Sequence, residues 1–260
     1  MSVNEDHNLA QQRVHDEAYR ETRSYWFSTD AATHYIVLWR LKNSIERLQS
    51  YARTRFGIDA KVLLLCAGDG AEATLICNEF GFKDVTFSDI SPVAVASGTA
   101  RDPRLKGIVA NAEETNLPNN SFDVVIVQDG LHHLQNPVRG FTEMLRIAKV
   151  GVIFIEPHDV LVGKLIGTEW EVNGEAVNYV FRWSKTLVEQ VSSSYLGPNS
   201  FSNLSYSYWH HNIVLSRLGV LIGGGRKGKA LIQLAKWVLD HLLPGCGNNI
   251  SGIILKNRAS

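Results

Sequence analysis

The sequence predicts an α/β fold in which helices cover both faces of a mostly parallel sheet. Three observations carry that prediction. Short apolar runs alternate with helical segments from 61 to 157, and the connections between them are short. The run Phe122-Asp123-Val124-Val125-Ile126-Val127-Gln128-Asp129 is apolar on both faces and reads as a central strand. The run Lys61-Val62-Leu63-Leu64-Leu65 passes through a glycine turn, Cys66-Ala67-Gly68-Asp69-Gly70, into a helix over 72–80. Together these describe a Rossmann-like, three-layer α/β/α sandwich with a mostly parallel sheet.

The elements follow in order. Residues 1 to about 16 are polar and are expected to be frayed. A helix is expected over 31 to about 56, because Ile36, Leu38, Trp39, Leu41, Ile45, Leu48 and Tyr51 recur at three- and four-residue steps; Gly57 ends it. Strands are expected over 62–65, 84–87, 107–110, 122–129 and 151–157. Helices are expected over 92–99, after Ser91-Pro92, and over 136–148, after Asn136-Pro137. After Pro157 the alternation breaks down into a stretch rich in Gly, Ser, Tyr and Trp, with a helix near 184–193. A strongly apolar helix over 230–243 stops at Pro244-Gly245, and a last strand over 252–256 is expected at the sheet edge.

Composition narrows the function. The 26 basic and 26 acidic residues cancel, so no global field attracts nucleic acid. The basic run Arg226-Lys227-Gly228-Lys229 is short and reads as a solvated loop. Cys66, Cys77 and Cys246 have no metal-ligand spacing and suggest free thiols in a reducing compartment. The polar N-terminus gives no expectation of a signal peptide, and no apolar run reaches the roughly 18 residues that span a bilayer. The expected location is the cytoplasm, without stable membrane insertion. The apolar face of 230–243 is expected to bury against the sheet or a second copy in a homodimer, with contact to a membrane surface as the alternative.

Four strand ends carry the candidate chemistry, because ligands of open α/β sheets bind beyond the carboxyl ends of the strands. The first gives the glycine turn, where the backbone can approach a ligand and a helix N-terminus presents unpaired N–H groups. The second gives Asp89, whose carboxylate can accept hydrogen bonds from both hydroxyls of a ribose. The third gives Asn111 and Ala112, placed to read an adenine edge. The fourth gives Gln128, Asp129 and Gly130, near the reacting end. The spacing Gly68-x-Gly70-x-x-Ala73 also fits a dinucleotide fingerprint, and Asp89 lies at a suitable distance for that reading too. Asp69 and Glu72 oppose it, since acids at a helix N-terminus repel a pyrophosphate.

With these segments the chain resembles the class I S-adenosylmethionine-dependent methyltransferases, in the type 11 subgroup, which implies a mostly parallel seven-stranded sheet. The resemblance runs from about 61 to 157 and is carried by VLLLCAGDGAEA, VTFSDIS, GIVANAEETNLPNNSFDVVIVQDGLHHLQNP and GVIFIEP. It implies that Ala67, Gly68 and Gly70 line the methionine part of the cofactor, that Asp89 holds the ribose and that Ile90 packs on the adenine. Asn111 and Ala112 would face the adenine edge, and the backbone near Gln128 would meet the amino acid end. Leu64 stands where the family usually has an acid, Cys66 where it has a glycine, and Asn111 where Asp is frequent. In the family pattern His133, rather than His132, is the better match for a general base.

The resemblance also implies a division of the chain: a helical lid over 1–57, a cofactor-binding core over 58–157, a substrate-specificity cap or insertion over 158–249, and a final edge strand of the core over 250–260. Aromatic residues on the flanks, Tyr25-Trp26-Phe27, Tyr35, Trp170, Tyr179, Phe181, Trp183, Tyr206, Tyr208 and Trp209, suit either a sugar or planar substrate or a packed cap. No metal site is expected; His210-His211 lacks a carboxylate partner. The implied function is methyl transfer from S-adenosylmethionine to oxygen or nitrogen of a small molecule or sugar, in surface-glycan or secondary-metabolite biosynthesis. The product would be S-adenosylhomocysteine. A non-catalytic regulatory protein that binds the same cofactor, and an NAD-dependent oxidoreductase, are the alternatives.

Overall fold

The alternation of side chains along the strands builds the layers. In the first strand Val62 and Leu64 point into one core with Ile45, Leu48 and Ile76, while Leu63 and Leu65 point into the other with Phe141, Met144 and Val188. Val124, Ile126, Ile153 and Ile155 continue the first core, and Val125, Val127, Val152 and Phe154 the second. A strand buried on both faces needs a helical layer on each, and that is the sandwich.

A computed structural model describes residues 3–21, 31–52, 55–209, 225–243 and 245–257. In chain order the elements are α1 (Val3–Glu21), α2 (Ala31–Ala52), β1 (Lys61–Leu65), α3 (Ala71–Phe80), β2 (Asp84–Asp89), α4 (Pro92–Arg101), β3 (Lys106–Val109) and β4 (Phe122–Gln128). Then come α5 (Pro137–Ile147), β5 (Ala148–Pro157), α6 (Leu161–Ile166), β6 (Trp170–Asn173), β7 (Ala176–Tyr179) and α7 (Lys185–Leu196). The chain continues through β8 (Phe201–Asn203), β9 (Tyr206–Tyr208), α8 (Gly225–Leu242) and β10 (Asn249–Lys256).

The main sheet runs β3-β2-β1-β4-β5-β10-β8, with β9 also on β10. Strands β3, β2, β1, β4 and β5 are parallel, and β10 is antiparallel to β5. The sheet thus has the expected mostly parallel form, with eight strands. The expected last strand is present but is not an edge, because β8 and β9 pair along its other side. Those two strands have three residues each, too short for a period-2 pattern to show in sequence. Strands β6 and β7 form a separate hairpin.

The helix starts follow local chemistry. Ser91 Oγ accepts from Ala94 N at 3.0 Å and Asn136 Oδ1 from Arg139 N at 3.0 Å, each ahead of a proline at the first helical turn. Ser184 caps α7 in the same way.

Three expectations change. The N-terminal stretch is not frayed but forms α1, which lies across the carboxyl ends of the strands. Its anchors are polar: Gln11 Nε2 donates to Asn178 Oδ1, and Ser91 Oγ donates to Asp16 Oδ1. An apolar-periodicity search does not see such a helix. The basic run 226–229 lies in the first turns of α8, not in a loop. On α8 itself Leu234, Trp237 and Leu242 are exposed, rather than buried against the sheet. Lys236 ties this helix to α2, with its Nζ 3.6 Å from the centre of the Trp39 ring. Tyr25-Trp26-Phe27 and His210-His211 lie outside the described residues, as does the side chain of Tyr35.

Helix α4 packs directly beneath the glycine turn because Gly98 has no side chain. A Cβ there would lie 2.1 Å from the Asp69 carbonyl oxygen and 2.7 Å from Phe87 Cζ. Backbone cannot yield cheaply, so Gly98→Ala is expected to destabilise the protein by about 1–3 kcal/mol. Thermal unfolding would show this as a lowered midpoint; an unchanged midpoint would contradict the packing described.

Candidate functional site

A cavity of about 740 Å³ opens at the carboxyl ends of β1, β2 and β4, between the sheet, α1 and the β6–β7 hairpin. Its size suits a small-molecule ligand. Ala67, Gly68, Asp89, Ile90, Asn111, Ala112, Gln128 and His133 all line it. Gly70 does not; it is the left-handed residue (φ 68°) before α3, and its α-carbon backs onto the Phe87 ring.

Asp89 is the hub of the first half. It is 2% exposed, accepts from Gly68 N at 2.9 Å through Oδ2 and from Ser91 N at 3.0 Å through Oδ1. The end of β2 therefore clamps the turn after β1 and the start of α4 together. His15 Nδ1 from α1 lies 3.4 Å from Asp89 Oδ1. The phenol of Tyr19 covers Gly68 so closely that a Cβ there would meet its oxygen at 1.9 Å. Burial, with the Asp89 and Asp69 charges nearby, keeps that phenol protonated.

The acids of the glycine turn are not free. Asp69 pairs with Arg101, whose Nη2 also donates to the Asp69 carbonyl at 2.7 Å. Burial pushes the Glu72 carboxyl up to about 8, against the lowering pull of Arg40. The charge argument against a pyrophosphate is therefore weaker than the sequence suggests. Gln128 Nε2 donates to Glu72, so this side chain supports the pocket wall. Arg40, 1% exposed on α2, pairs through Nη2 with Asp129 Oδ2 at 2.8 Å and borders the cavity beside Glu72. Asn111 Oδ1 accepts from Glu113 N at 2.9 Å, closing its own turn. Cys66 adopts φ 52°, and burial pushes its thiol up, so it is a poor nucleophile.

The second half of the site is a pair of imidazoles on the short turn Leu131–His133 after β4. Glu156, fully buried at the end of β5, accepts from Gly130 N at 2.8 Å and Leu131 N at 2.7 Å through Oε1. Its Oε2 lies 2.6 Å from His132 Nδ1. Burial works to lower the His132 pKa, but the Glu156 and Glu171 carboxylates outweigh it and raise it to about 10. Glu171, on β6, reaches His132 Nε2 at 3.6 Å. His133 stacks 4.3 Å from the His132 ring, and its pKa falls through burial and the neighbouring charge. Asn178 Nδ2 is 3.0 Å from His133 Nδ1. Asn178 Oδ1 already accepts from Gln11, so its amide donates and His133 Nδ1 carries a lone pair.

Sequence reasoning missed Arg40, hidden in the apolar stripe of α2, and His15, Tyr19, Glu171 and Asn178, which come from distant segments. Sequence reasoning also missed Glu156, although an acid near the end of an otherwise apolar strand signals a buried partner.

Known proteins share this fold. Residues 63–155 match the family described as methyltransferase domain. A demethylmenaquinone methyltransferase of Beutenbergia cavernae is 33% identical over 91 residues, covering 35% of this chain and 37% of that protein. The chain thus aligns with little more than a third of that relative's length. A chain from the complex of the Haloferax volcanii Trm112 methyltransferase activator with a methyltransferase superposes with a TM-score of 0.59 at 14% identity, covering 100% of this chain and 99% of that one. The Burkholderia thailandensis 1,6-didemethyltoxoflavin-N1-methyltransferase, solved with S-adenosylhomocysteine, gives 0.58 at 12% identity, covering 99% and 92%. The fold is thus a Rossmann-like α/β/α sandwich. Residues 63–155 form a class I S-adenosylmethionine-dependent methyltransferase domain.

The His15 contact predicts a pH effect. Burial lowers the His15 pKa, but Asp89 more than offsets this, so the folded value lies above the ordinary 6.5. A raised value means that the stabilisation is complete below pH 6.5 and is lost as pH rises through the folded value. Denaturant unfolding of wild type and His15→Gln should differ most at acidic pH, and the gap should close in mildly alkaline buffer. A gap that widens with pH would refute this pairing.

Proposed function

We propose that this protein transfers the methyl group of S-adenosylmethionine to oxygen or nitrogen of a small molecule or sugar, leaving S-adenosylhomocysteine. The observation that carries the reading is the Asp89 clamp, which presents a buried carboxylate and the Gly68 backbone to one cavity. The residues fit the cofactor. Asp89 keeps lone pairs for ribose hydroxyls once His15 turns aside. Ile90 and Ala112 offer apolar surface for the adenine, with the Asn111 amide at its edge. Ala67 and Gly68, with the wall built by Gln128, Glu72 and Arg40, would meet the methionine part. Its two charged groups suit the mixed charges there.

When bound, the sulfonium supplies an activated leaving group, so the protein's main task is alignment. His133 stands at the acceptor face. Its lowered pKa leaves it neutral, and the amide on Nδ1 puts its proton on Nε2. We therefore assign His133 to hold the acceptor, rather than to act as a strong base. The division of labour follows the same line: 58–157 binds the cofactor, α1 closes over it, and Glu171, Asn178 and Arg182 from the 158–249 segment face the acceptor. The names of the curated relatives raise C-methylation of a quinone ring as a second reading. That match covers only 35% of this chain, while polar groups line the acceptor face here.

The test is transfer of labelled methyl from S-adenosylmethionine to a panel of sugars, amines, phenols and quinols. We expect label in a polar acceptor. His133→Ala should lower kcat/KM about tenfold or more, roughly 1.4 kcal/mol in the transition state, with S-adenosylhomocysteine affinity unchanged. Cofactor binding without turnover on any acceptor would favour the regulatory alternative. Affinity for NAD and none for S-adenosylhomocysteine would overturn the reading.

A further inference from the structure

The acceptor face carries a feature that methyl transfer does not itself require. Three donor atoms converge there from two parts of the chain: His132 Nε2, His133 Nδ1 and a Glu171 carboxylate oxygen. Glu171 Oε2 is 3.6 Å from His132 Nε2 and 4.0 Å from His133 Nδ1, and the three ligand atoms lie within 4.8 Å of one another. We propose that His132, His133 and Glu171 bind a divalent transition-metal ion at the wall of the cavity.

The geometry is close to that of a coordination sphere. Bonds of about 2.0–2.1 Å in a tetrahedral site place neighbouring ligand atoms about 3.3 Å apart. Glu171 Oε2, carried on the two-stranded β6–β7 hairpin, is already near that spacing from both imidazoles, and small rotations of the two rings together with it would close the sphere. The surrounding hydrogen bonds prepare each ligand. Glu156 Oε2 takes His132 Nδ1 at 2.6 Å, which fixes the ring and leaves Nε2 to face inward. A carboxylate behind a ligating imidazole is the usual outer support of a metal site. The amide of Asn178 marks His133 Nδ1 as a lone pair, and the ion would take over that lone pair. Glu156 is itself fixed by two backbone donors, so the support does not move.

The donor set selects the ion. Two imidazoles and one carboxylate favour zinc and its first-row neighbours over magnesium or calcium, which prefer all-oxygen sites. Three protein ligands leave a position open toward the cavity. An acceptor hydroxyl bound there would lose its proton more readily, which supplies the activation that a neutral His133 does not. This role rests on the methyltransferase reading; the ion site itself does not. The site is absent from any local sequence motif because Glu171 lies 38 residues beyond His133 (171 − 133).

The competing occupant is a proton, with His132 as an imidazolium bridging Glu156 and Glu171. Titration of metal-free protein with Zn²⁺, and with Co²⁺ read by its visible absorption, separates the two. We expect one ion per chain and intense cobalt bands of a low-coordinate nitrogen–oxygen site. Affinity should fall at least tenfold in both Glu171→Gln and His133→Ala. Glu171 is partly exposed, so E171Q should still unfold in one cooperative transition without metal, which separates lost affinity from lost fold. Absence of binding in the wild type, or equal binding in both variants, would overturn the proposal and leave the imidazolium bridge. Binding lost only in Cys246→Ser would place the ion on a thiol and overturn it too. S-adenosylhomocysteine binding, measured on the same samples, reports separately on the methyltransferase reading.

Discussion

The site depends on a buried carboxylate that ties two strand ends together. Asp89 ends β2, yet its hydrogen bonds go to Gly68 in the turn after β1 and to Ser91 at the start of α4. Hydrogen bonds to a buried charge contribute about 1.5–3 kcal/mol, and losing the acceptor would strand two backbone N–H groups. The clamp holds the glycine turn in its left-handed conformation and aims one carboxylate at the cavity. The same device recurs on the other side of the sheet centre. Glu156 ends β5 and takes the backbone N–H groups of Gly130 and Leu131, in the turn after β4. In both cases a strand's terminal acid fixes its neighbour's turn, and the remaining oxygen capacity faces functional groups.

This arrangement explains how the chain tolerates its departures from the family pattern. Leu64 replaces an acid that often supports the glycine turn. Here support comes instead from Asp89, from Arg101 on the Asp69 carbonyl, and from Ala67 N donating to the Ser88 carbonyl at 2.9 Å. Leu64 is then free to join the core below. Cys66 occupies a left-handed position and lies tight against Gly130. The acids Asp69 and Glu72 look in sequence like a negative rim. Arg101 and burial neutralise them in different ways, so cofactor choice rests on the whole constellation and not on net charge.

Much of the fold was legible because its physics is local. Strands β1, β4 and β5 are short apolar runs, and α4 and α5 announce themselves by a capping residue before proline. Asp89, Asn111 and Gln128 were legible because strand ends converge in any open α/β sheet. The rest depends on long-range geometry. Helix α1 docks through Gln11, His15, Asp16 and Tyr19, and no apolar stripe betrays it. Arg40 looks like a solvent residue on an amphipathic helix until its partner Asp129 is seen. Glu171 and Asn178 come from a hairpin with no pattern of its own, and only the folded chain brings them to His132 and His133. Glu171 and Asn178 were therefore invisible to sequence reasoning, while the residues named from the strand ends, all but Gly70, line the cavity.

The central claim is that Asp89 both builds and serves the cofactor site. The direct measurement is calorimetric titration of S-adenosylhomocysteine into wild type and Asp89→Asn, with circular dichroism to confirm that both are folded. The account predicts binding by the wild type and an affinity at least about tenfold lower, roughly 1.4 kcal/mol or more, in the variant. Equal affinity in two folded proteins would contradict it.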